Sequence, residues 1–361
     1  MVVLQTVLIY LILILVLYLA GKLAEQRNNL GYIVGAVFFY AIIFGLRSGV
    51  GVDFWGYKEW FDYSAAGFGA YKNMEPGFNL LINICVKAGL PFSFFLGLIA
   101  FGQLLLIYLA IKPYKSVYSM LALTFMLGCV WLTYANGLRQ QIAFCIFAYS
   151  LHFISQKSWI KYYICVLVAC TFHTSAILLV IFYPLFAFRQ EWFKNRFLQF
   201  ILLTIALLLS SKSLVTSLVE PVEQIADVIG YGHYFDSEHS QFSHEIEIGL
   251  GFVINLLLVI YLIYNSTIVK TYYKSAFINN IYDLFMVGVL WQYVFIDSML
   301  LSRINYYMLG FQYIWGALSL TALARTNRNQ YYIILGLYIL VFIATLYRMN
   351  ENAALFMFNW Q

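Results

Sequence analysis

Long apolar stretches follow one another along almost the whole chain, separated by short segments that hold the charged and turn-forming residues. A bilayer core requires about 20 apolar residues per helix, so each such stretch predicts a membrane-spanning helix. The pattern predicts about twelve spans, near residues 2–20, 30–46, 92–111, 117–134, 138–154, 161–172, 174–187, 198–211, 247–265, 278–297, 304–323 and 330–347.

Two of these stretches, 161–172 and 174–187, are too short for standard spans. Joined as one straight helix, they would place Lys161 and Arg189 on opposite sides of the membrane. The chain is therefore predicted to turn back at His173 and form a short hairpin.

Segment 77–90 has a different pattern, because its polar residues recur at helical spacing on one side and its apolar residues on the other. Asn79, Asn83 and Lys87 form the polar side, and Phe78 and Ile82 lie on the apolar side. This pattern is typical of a helix that lies in the membrane interface and does not cross the bilayer.

Composition supports the same class of protein, with 63% hydrophobic residues, 10% charged residues and a mean hydropathy of +0.80. Soluble domains carry roughly 25% charged residues, so a soluble protein is excluded. The formal net charge of +5 is distributed between the helices and forms no basic domain, so no nucleic-acid partner is expected. The prediction is an all-α polytopic membrane protein with one transmembrane domain over residues 1–361.

The basic residues also predict an orientation. With the hairpin and the interfacial helix assigned as above, most of the short basic connections share one side, which the positive-inside rule makes cytoplasmic. Both termini and two large loops, about 47–91 and 212–246, are then predicted on the outer side. The residues on the predicted cytoplasmic side are Lys22, Arg27, Lys112, Lys115, Lys157, Lys161, Arg189, Lys194, Arg196, Lys270, Lys274, Arg325 and Arg328.

Polar side chains that interrupt apolar segments collect on the predicted outer side, where charged groups at membrane depth indicate function. Three arginines offer permanently charged forks that suit a lipid diphosphate, and three acid–base groups can accept a proton. The candidates are Arg47, Arg139 and Arg303 for the diphosphate; Asp53, His173 and Glu75 for catalysis; and Tyr57, Asn136, Gln140 and Tyr306 for positioning.

Each candidate also has a structural alternative. The arginines can snorkel to lipid headgroups, the amides can join helices, and His173 can be a satisfied buried histidine. The carboxylates Asp53 and Glu75 can pair with Lys58 or Lys72. No metal or other cofactor is predicted, although Asp236 and Glu238 in the second loop carry ligand-type oxygens.

The order of these motifs resembles the EpsG/Wzy group of bacterial polysaccharide polymerases. The resemblance covers roughly the first half of the chain, where no single motif is specific but the ordered set is. The residues that carry it are Arg47, Gly51, Asp53, Tyr57, Glu75-Pro76-Gly77, Asn136, Arg139-Gln140 and His173-Thr174-Ser175.

The resemblance implies a membrane glycosyltransferase of the GT-C class in the bacterial inner membrane. Such an enzyme would polymerise undecaprenyl-diphosphate-linked oligosaccharides of O-antigen or capsule at the periplasmic face, alongside a flippase and a chain-length regulator. The expected chemistry is inverting transfer, with the lipid diphosphate as leaving group. A flippase and an O-antigen ligase-like transferase are the alternatives; a flippase commonly shows internally repeated halves, which this sequence lacks.

Overall fold

The computed structural model describes residues 2–69, 74–188, 191–209, 249–296, 299–349 and 354–358, and these are almost entirely helical. The predicted loop 212–246 lies outside the described residues. The first half contains α1 (Val2–Arg27), α2 (Gly31–Gly45), β1 (Arg47–Ser48), α3 (Phe54–Ala65), α4 (Pro76–Lys87), α5 (Phe92–Ala110), a 3₁₀ helix (Lys112–Val117), α6 (Tyr118–Leu127), α7 (Val130–Asn136) and α8 (Leu138–Ser155).

The remaining elements continue the helical bundle. They are α9 (Trp159–Phe172), a second 3₁₀ helix (Thr174–Ile181), α10 (Phe182–Phe188), α11 (Arg196–Leu209), α12 (Leu250–Tyr264), α13 (Ser266–Tyr273), α14 (Ala276–Val294), α15 (Met299–Leu309), α16 (Phe311–Thr326), α17 (Arg328–Tyr347) and β2 (Met357–Phe358).

Several helices are apolar enough to span a membrane, as the hydropathy pattern predicts. Within the described residues, α1, α5 and α17 are individually long enough, and two bent pairs raise the number to as many as 5. Shorter apolar helices include α2, α9 and α11. The all-α membrane class is confirmed, whereas twelve spans and a GT-C fold stay predictions.

The predicted span 117–134 is not one straight helix. The chain bends by 68° between the segment that ends at Leu127 and α7. The break is at Gly128 and Cys129, and Cys129 adopts a left-handed conformation with φ +54°. Continuous hydrophobicity gave no sign of this bend, because both halves are apolar.

The region 47–91, which was predicted as an outer loop with one interfacial helix, contains two helices. The helix predicted over 77–90 is present as α4, which buries Phe78 and Ile82; its position in the membrane interface stays a prediction. An additional helix, α3, buries Phe54, Tyr57 and Phe61 at helical spacing. Together these helices cover one end of the bundle with an aromatic layer.

The chain reverses direction at His173, as predicted. Helix α9 ends there, and the following 3₁₀ helix packs back against it, so that the Tyr162 hydroxyl donates a hydrogen bond to the Leu179 carbonyl at 2.5 Å. The reversal places His173 at the tip of the hairpin.

The basic connections gather at one end of the bundle. There Lys115 donates to Asn28, Lys270 pairs with Glu191 at 2.9 Å, and Arg325 donates to the Tyr272 hydroxyl. Helix α2 begins at this end and runs to Arg47 at the other, where the predicted site residues lie. The two groups of charges thus occupy opposite helix ends; membrane orientation itself stays a prediction.

The buried side chain of Arg47 connects the C-terminal end of α2 to neighbouring segments through hydrogen bonds. Arg47 is 2% exposed, and its guanidinium donates to the carbonyls of Phe44 at 2.6 Å, Ala135 at 3.2 Å and Val50 at 3.4 Å. These bonds satisfy a carbonyl at the end of α2 that lacks a helical partner. They also join α2 to the end of α7.

A C-terminal segment closes over the same place. Strand β2 pairs antiparallel with β1, with Arg47 opposite Phe358. The preceding residues contact α1, where the Tyr10 hydroxyl donates to the Ala354 carbonyl at 2.6 Å. The beginning of α1 and the segment 354–358 therefore lie at the same end of the bundle as Arg47.

Replacing Arg47 with lysine should destabilise the fold, because one ammonium group cannot reach three carbonyls that a planar guanidinium spans. We expect a loss of about 1–3 kcal/mol, the cost of leaving buried acceptors unsatisfied, measured as a lower melting temperature in detergent. Arg328→Lys, an exposed change at the opposite end, is the control. An unchanged melting temperature for Arg47→Lys would contradict the structural role of Arg47.

Candidate functional site

One pocket of about 420 Å³ opens at the helix ends opposite the basic connections. It is lined by residues from the exit of α2, the junction of α7 and α8, the His173 turn and α15. The pocket brings together most of the residues predicted from the sequence: Asp53, Tyr57, Asn136, Arg139, Gln140, His173, Arg303 and Tyr306.

The glycine-rich exit of α2 packs directly on the junction of α7 and α8. Gly51 has φ +93°, and a Cβ atom there would lie 3.0 Å from the carbonyl oxygen of Ala135. Next to it, the backbone N–H of Asp53 donates to the side-chain oxygen of Asn136 at 2.9 Å. Only glycine combines this conformation with this close approach, and the contact directs Asp53 towards the pocket.

Behind the pocket wall, the buried carboxylate of Glu75 contacts two side chains from different parts of the chain, Arg139 and His173. Its Oε2 accepts from Arg139 Nη1 at 2.5 Å, and its Oε1 lies 3.1 Å from His173 Nδ1. Glu75 is 8% exposed and precedes Pro76 at the start of α4, where its side chain makes no capping bond to that helix. Its carboxylate therefore organises the two pocket residues.

Burial alone would raise the pKa of Glu75. The hydrogen bond with His173 and the positive charge of Arg139 outweigh that effect and lower this pKa from 4.5 to about 2. Glu75 is thus an anion at neutral pH and a weak base. Its geometry suits orientation of His173 and Arg139 better than direct proton transfer.

The pKa of Asp53 is shifted in the opposite direction from that of Glu75. Partial burial raises the pKa of Asp53, whereas the positive charges of Arg303 and Arg139 act in the lowering direction. Its side chain opens into the pocket and makes no hydrogen bond to the described residues. Asp53 therefore remains accessible to a hydroxyl group.

Arg303 lies on α15 and its side chain is exposed. The side chain of Gln140 donates to the main-chain carbonyl of Arg303 at 2.5 Å, which fixes α15 against α8. The Arg303 guanidinium thus projects from an anchored backbone into the pocket, and no salt bridge within the described chain occupies it.

Arg47 and Glu75 do not line the pocket, although both were predicted as site residues. Arg47 lies behind the wall with its guanidinium bonded to three carbonyls. Thr133, which was not singled out from the sequence, also lines the pocket, and the ring centroid of Trp60 lies 4.9 Å from the Arg139 guanidinium carbon.

Among the residues that the structure describes, no group of three or more His, Cys, Asp and Glu side chains is placed to hold a metal ion. The carboxylates Asp236 and Glu238 lie in the undescribed segment 210–248. The described pocket instead offers guanidinium, imidazole, carboxylate and amide groups. Such a set can bind an anion and move a proton.

Residues 30–360 match the model of the family described as EpsG. The match includes the whole pocket and extends through the second half of the chain. No curated protein and no solved structure matches significantly.

The Glu75 cluster predicts an acid-sensitive stability. Because the folded-state pKa of Glu75 is lowered, its contribution is present above about pH 4.5 and is lost as the pH falls towards about 2. The melting temperature of the wild type should therefore fall more between pH 6 and pH 3.5 than that of Glu75→Gln. Glu59→Gln, an exposed change on α3, should follow the wild type; parallel curves for all three proteins would contradict the assignment.

Proposed function

The chain belongs to the EpsG family of polysaccharide polymerase-like membrane proteins, and on that premise we propose that it is a glycosyltransferase that joins lipid-diphosphate-linked oligosaccharide units. The reaction takes place at the outer face of the bacterial inner membrane. One observation carries the proposal: two arginines and a histidine line a single pocket at the helix ends opposite the basic connections, and the carboxylate of Glu75 behind the wall contacts Arg139 and His173.

The leaving group requires stabilisation of negative charge. When the glycosidic bond breaks, the diphosphate keeps the bonding electrons, and positive groups that are already in position lower the barrier. Arg303 and Arg139 both line the pocket and come from different helices. Arg303 is free to bind the diphosphate with a bidentate fork, whereas Arg139 is shared with Glu75.

The acceptor hydroxyl must lose its proton as it attacks the anomeric carbon. His173 is suited to accept that proton, because Glu75 binds its Nδ1 and so leaves Nε2 as the basic nitrogen. The same arrangement of carboxylate, imidazole and nucleophile activates hydroxyl groups in hydrolases. The acceptor oxygen bonds to the anomeric carbon, the lipid diphosphate departs from the opposite side, and the configuration inverts.

The remaining lining residues position the sugars. Asp53 presents a carboxylate to an acceptor hydroxyl. Because its pKa is raised, Asp53 is the alternative to His173 as the general base. Tyr57 and Tyr306 present phenol groups, and Asn136 and Gln140 present amides, although each amide also has a structural bond. Arg47 does not belong to this set, because its guanidinium is buried behind the pocket wall and bonded to three carbonyls.

Arg303→Gln should lower kcat about 10²- to 10³-fold, the usual effect of removing one charge-stabilising donor, while the protein still folds. The measurement is chain elongation by purified protein in proteoliposomes, with lipid-linked repeat units as donor and acceptor, read as a ladder on a gel. Arg328→Gln at the opposite end should retain the full ladder.

This assay also separates the alternative functions. Transport of the lipid-linked unit without elongation would support a flippase. Transfer only to an acceptor that lacks a lipid diphosphate would support a ligase-like transferase, and the polymerase proposal would then be given up.

His173→Gln should lower kcat by about 10²- to 10⁴-fold with a smaller change in KM, because a general base acts in the transition state. His152→Gln is the matched control, since that imidazole stacks on Phe277 at 4.5 Å, far from the pocket. If His173→Gln keeps the wild-type rate and Asp53→Asn loses it, Asp53 is the base.

A further inference from the structure

A second cavity continues the pocket into the bundle. It has a volume of about 210 Å³ and shares Thr133 and Tyr306 with the outer pocket. Its other walls come from α8, α12, α16 and α17, so it lies among apolar helices. A cavity of this size holds on the order of seven waters, which is comparable with one sugar ring and too small for an oligosaccharide.

An interrupted helix borders this inner cavity. The chain bends by 68° between α6 and α7, and this break contributes Gly128 and Val130 to the lining. Within a membrane, non-helical backbone is tolerated where it faces a polar cavity.

The side chain of Gln141 gives the clearest sign of an occupant. Gln141 lines the cavity and is 2% exposed, yet its side-chain amide makes no hydrogen bond to any residue in the described part of the chain. A buried amide without a partner is costly, so such groups normally meet water or a ligand. The amide therefore requires a polar molecule in the cavity.

The other polar groups in the lining are paired, but only in part. Gln312 donates to Asn255 at 3.0 Å, which leaves the amide N–H₂ of Asn255 and the oxygen of Gln312 available. The hydroxyls of Tyr134 and Tyr313 lie 2.8 Å apart. Neutral amides and phenols with no charge in the lining suit sugar hydroxyls and do not suit a phosphate.

We infer that the inner cavity is a subsite for one saccharide ring of the substrate, next to the bond being formed, and that Gln141 hydrogen-bonds its hydroxyl groups. This inference rests on the proposed function and assigns the cavity a role in substrate specificity. The outer pocket holds the diphosphate and the proton acceptor, and the inner cavity selects the sugar.

The test compares Gln141→Leu with the wild type in the elongation assay. We expect kcat/KM for the native repeat unit to fall about tenfold, the value of one net hydrogen bond. The melting temperature should stay the same or rise, since leucine removes an unpaired amide and breaks no bond within the described chain. Gln330→Leu, near the basic connections, should leave kcat/KM unchanged.

A labelling experiment tests the occupant directly. Asn255→Cys, in a background without the native cysteines, should react with a hydrophilic thiol reagent. Lipid-diphosphate-linked repeat units should protect it, whereas undecaprenyl diphosphate without sugars should not.

Two results would overturn the inference while elongation by the wild type is intact: an unchanged kcat/KM for Gln141→Leu, or equal protection by the sugar-free lipid. Absence of elongation by the wild type would instead count against the proposed function.

Discussion

The buried carboxylate of Glu75 is the contact on which the site depends. It stands at the start of α4, yet it holds Arg139 on α8 and His173 at the end of α9. Removing one member would leave a charge uncompensated in a poorly hydrated place. The close approach of α4 to α9 makes this possible: a Cβ atom at Gly77 would lie 2.9 Å from the Thr171 carbonyl oxygen. A small residue after Glu75-Pro76 thus brings the carboxylate within reach of both partners.

The charges of the pocket nearly cancel before any substrate arrives. Glu75 neutralises Arg139, and Asp53 faces Arg303 across open space. Burying paired opposite charges in a low-dielectric environment costs less free energy than burying several arginines without counter-charges. An incoming diphosphate would compete with Asp53 for Arg303, and this competition would favour a proton on Asp53 or its contact with a sugar hydroxyl. Anion binding and hydroxyl binding would then support each other.

Much of this arrangement could be predicted from the sequence, because hydrophobic periodicity and basic residues together establish which helix ends share a side. That was enough to group His173, Asn136 and Arg303. The role of Arg47 could not be predicted, since periodicity does not reveal which carbonyls lack partners at the end of α2. Helix α3 was missed because its exposed side carries Lys58, Glu59 and Asp62, which made the segment look like a loop. The bend at Cys129 leaves no trace in hydropathy.

The pairing of β1 with β2 has a consequence for biosynthesis. Strand β1 leaves the ribosome early, together with the glycine-rich wall that carries Asp53, whereas β2 is made almost a whole chain length later. Until the late segment is made, the first helices must sit in the bilayer with the edge of β1 unpaired and the Tyr10 hydroxyl without its acceptor, the Ala354 carbonyl. The pocket can therefore reach its final shape only after translation is nearly finished, so an unfinished chain left in the membrane would be inactive.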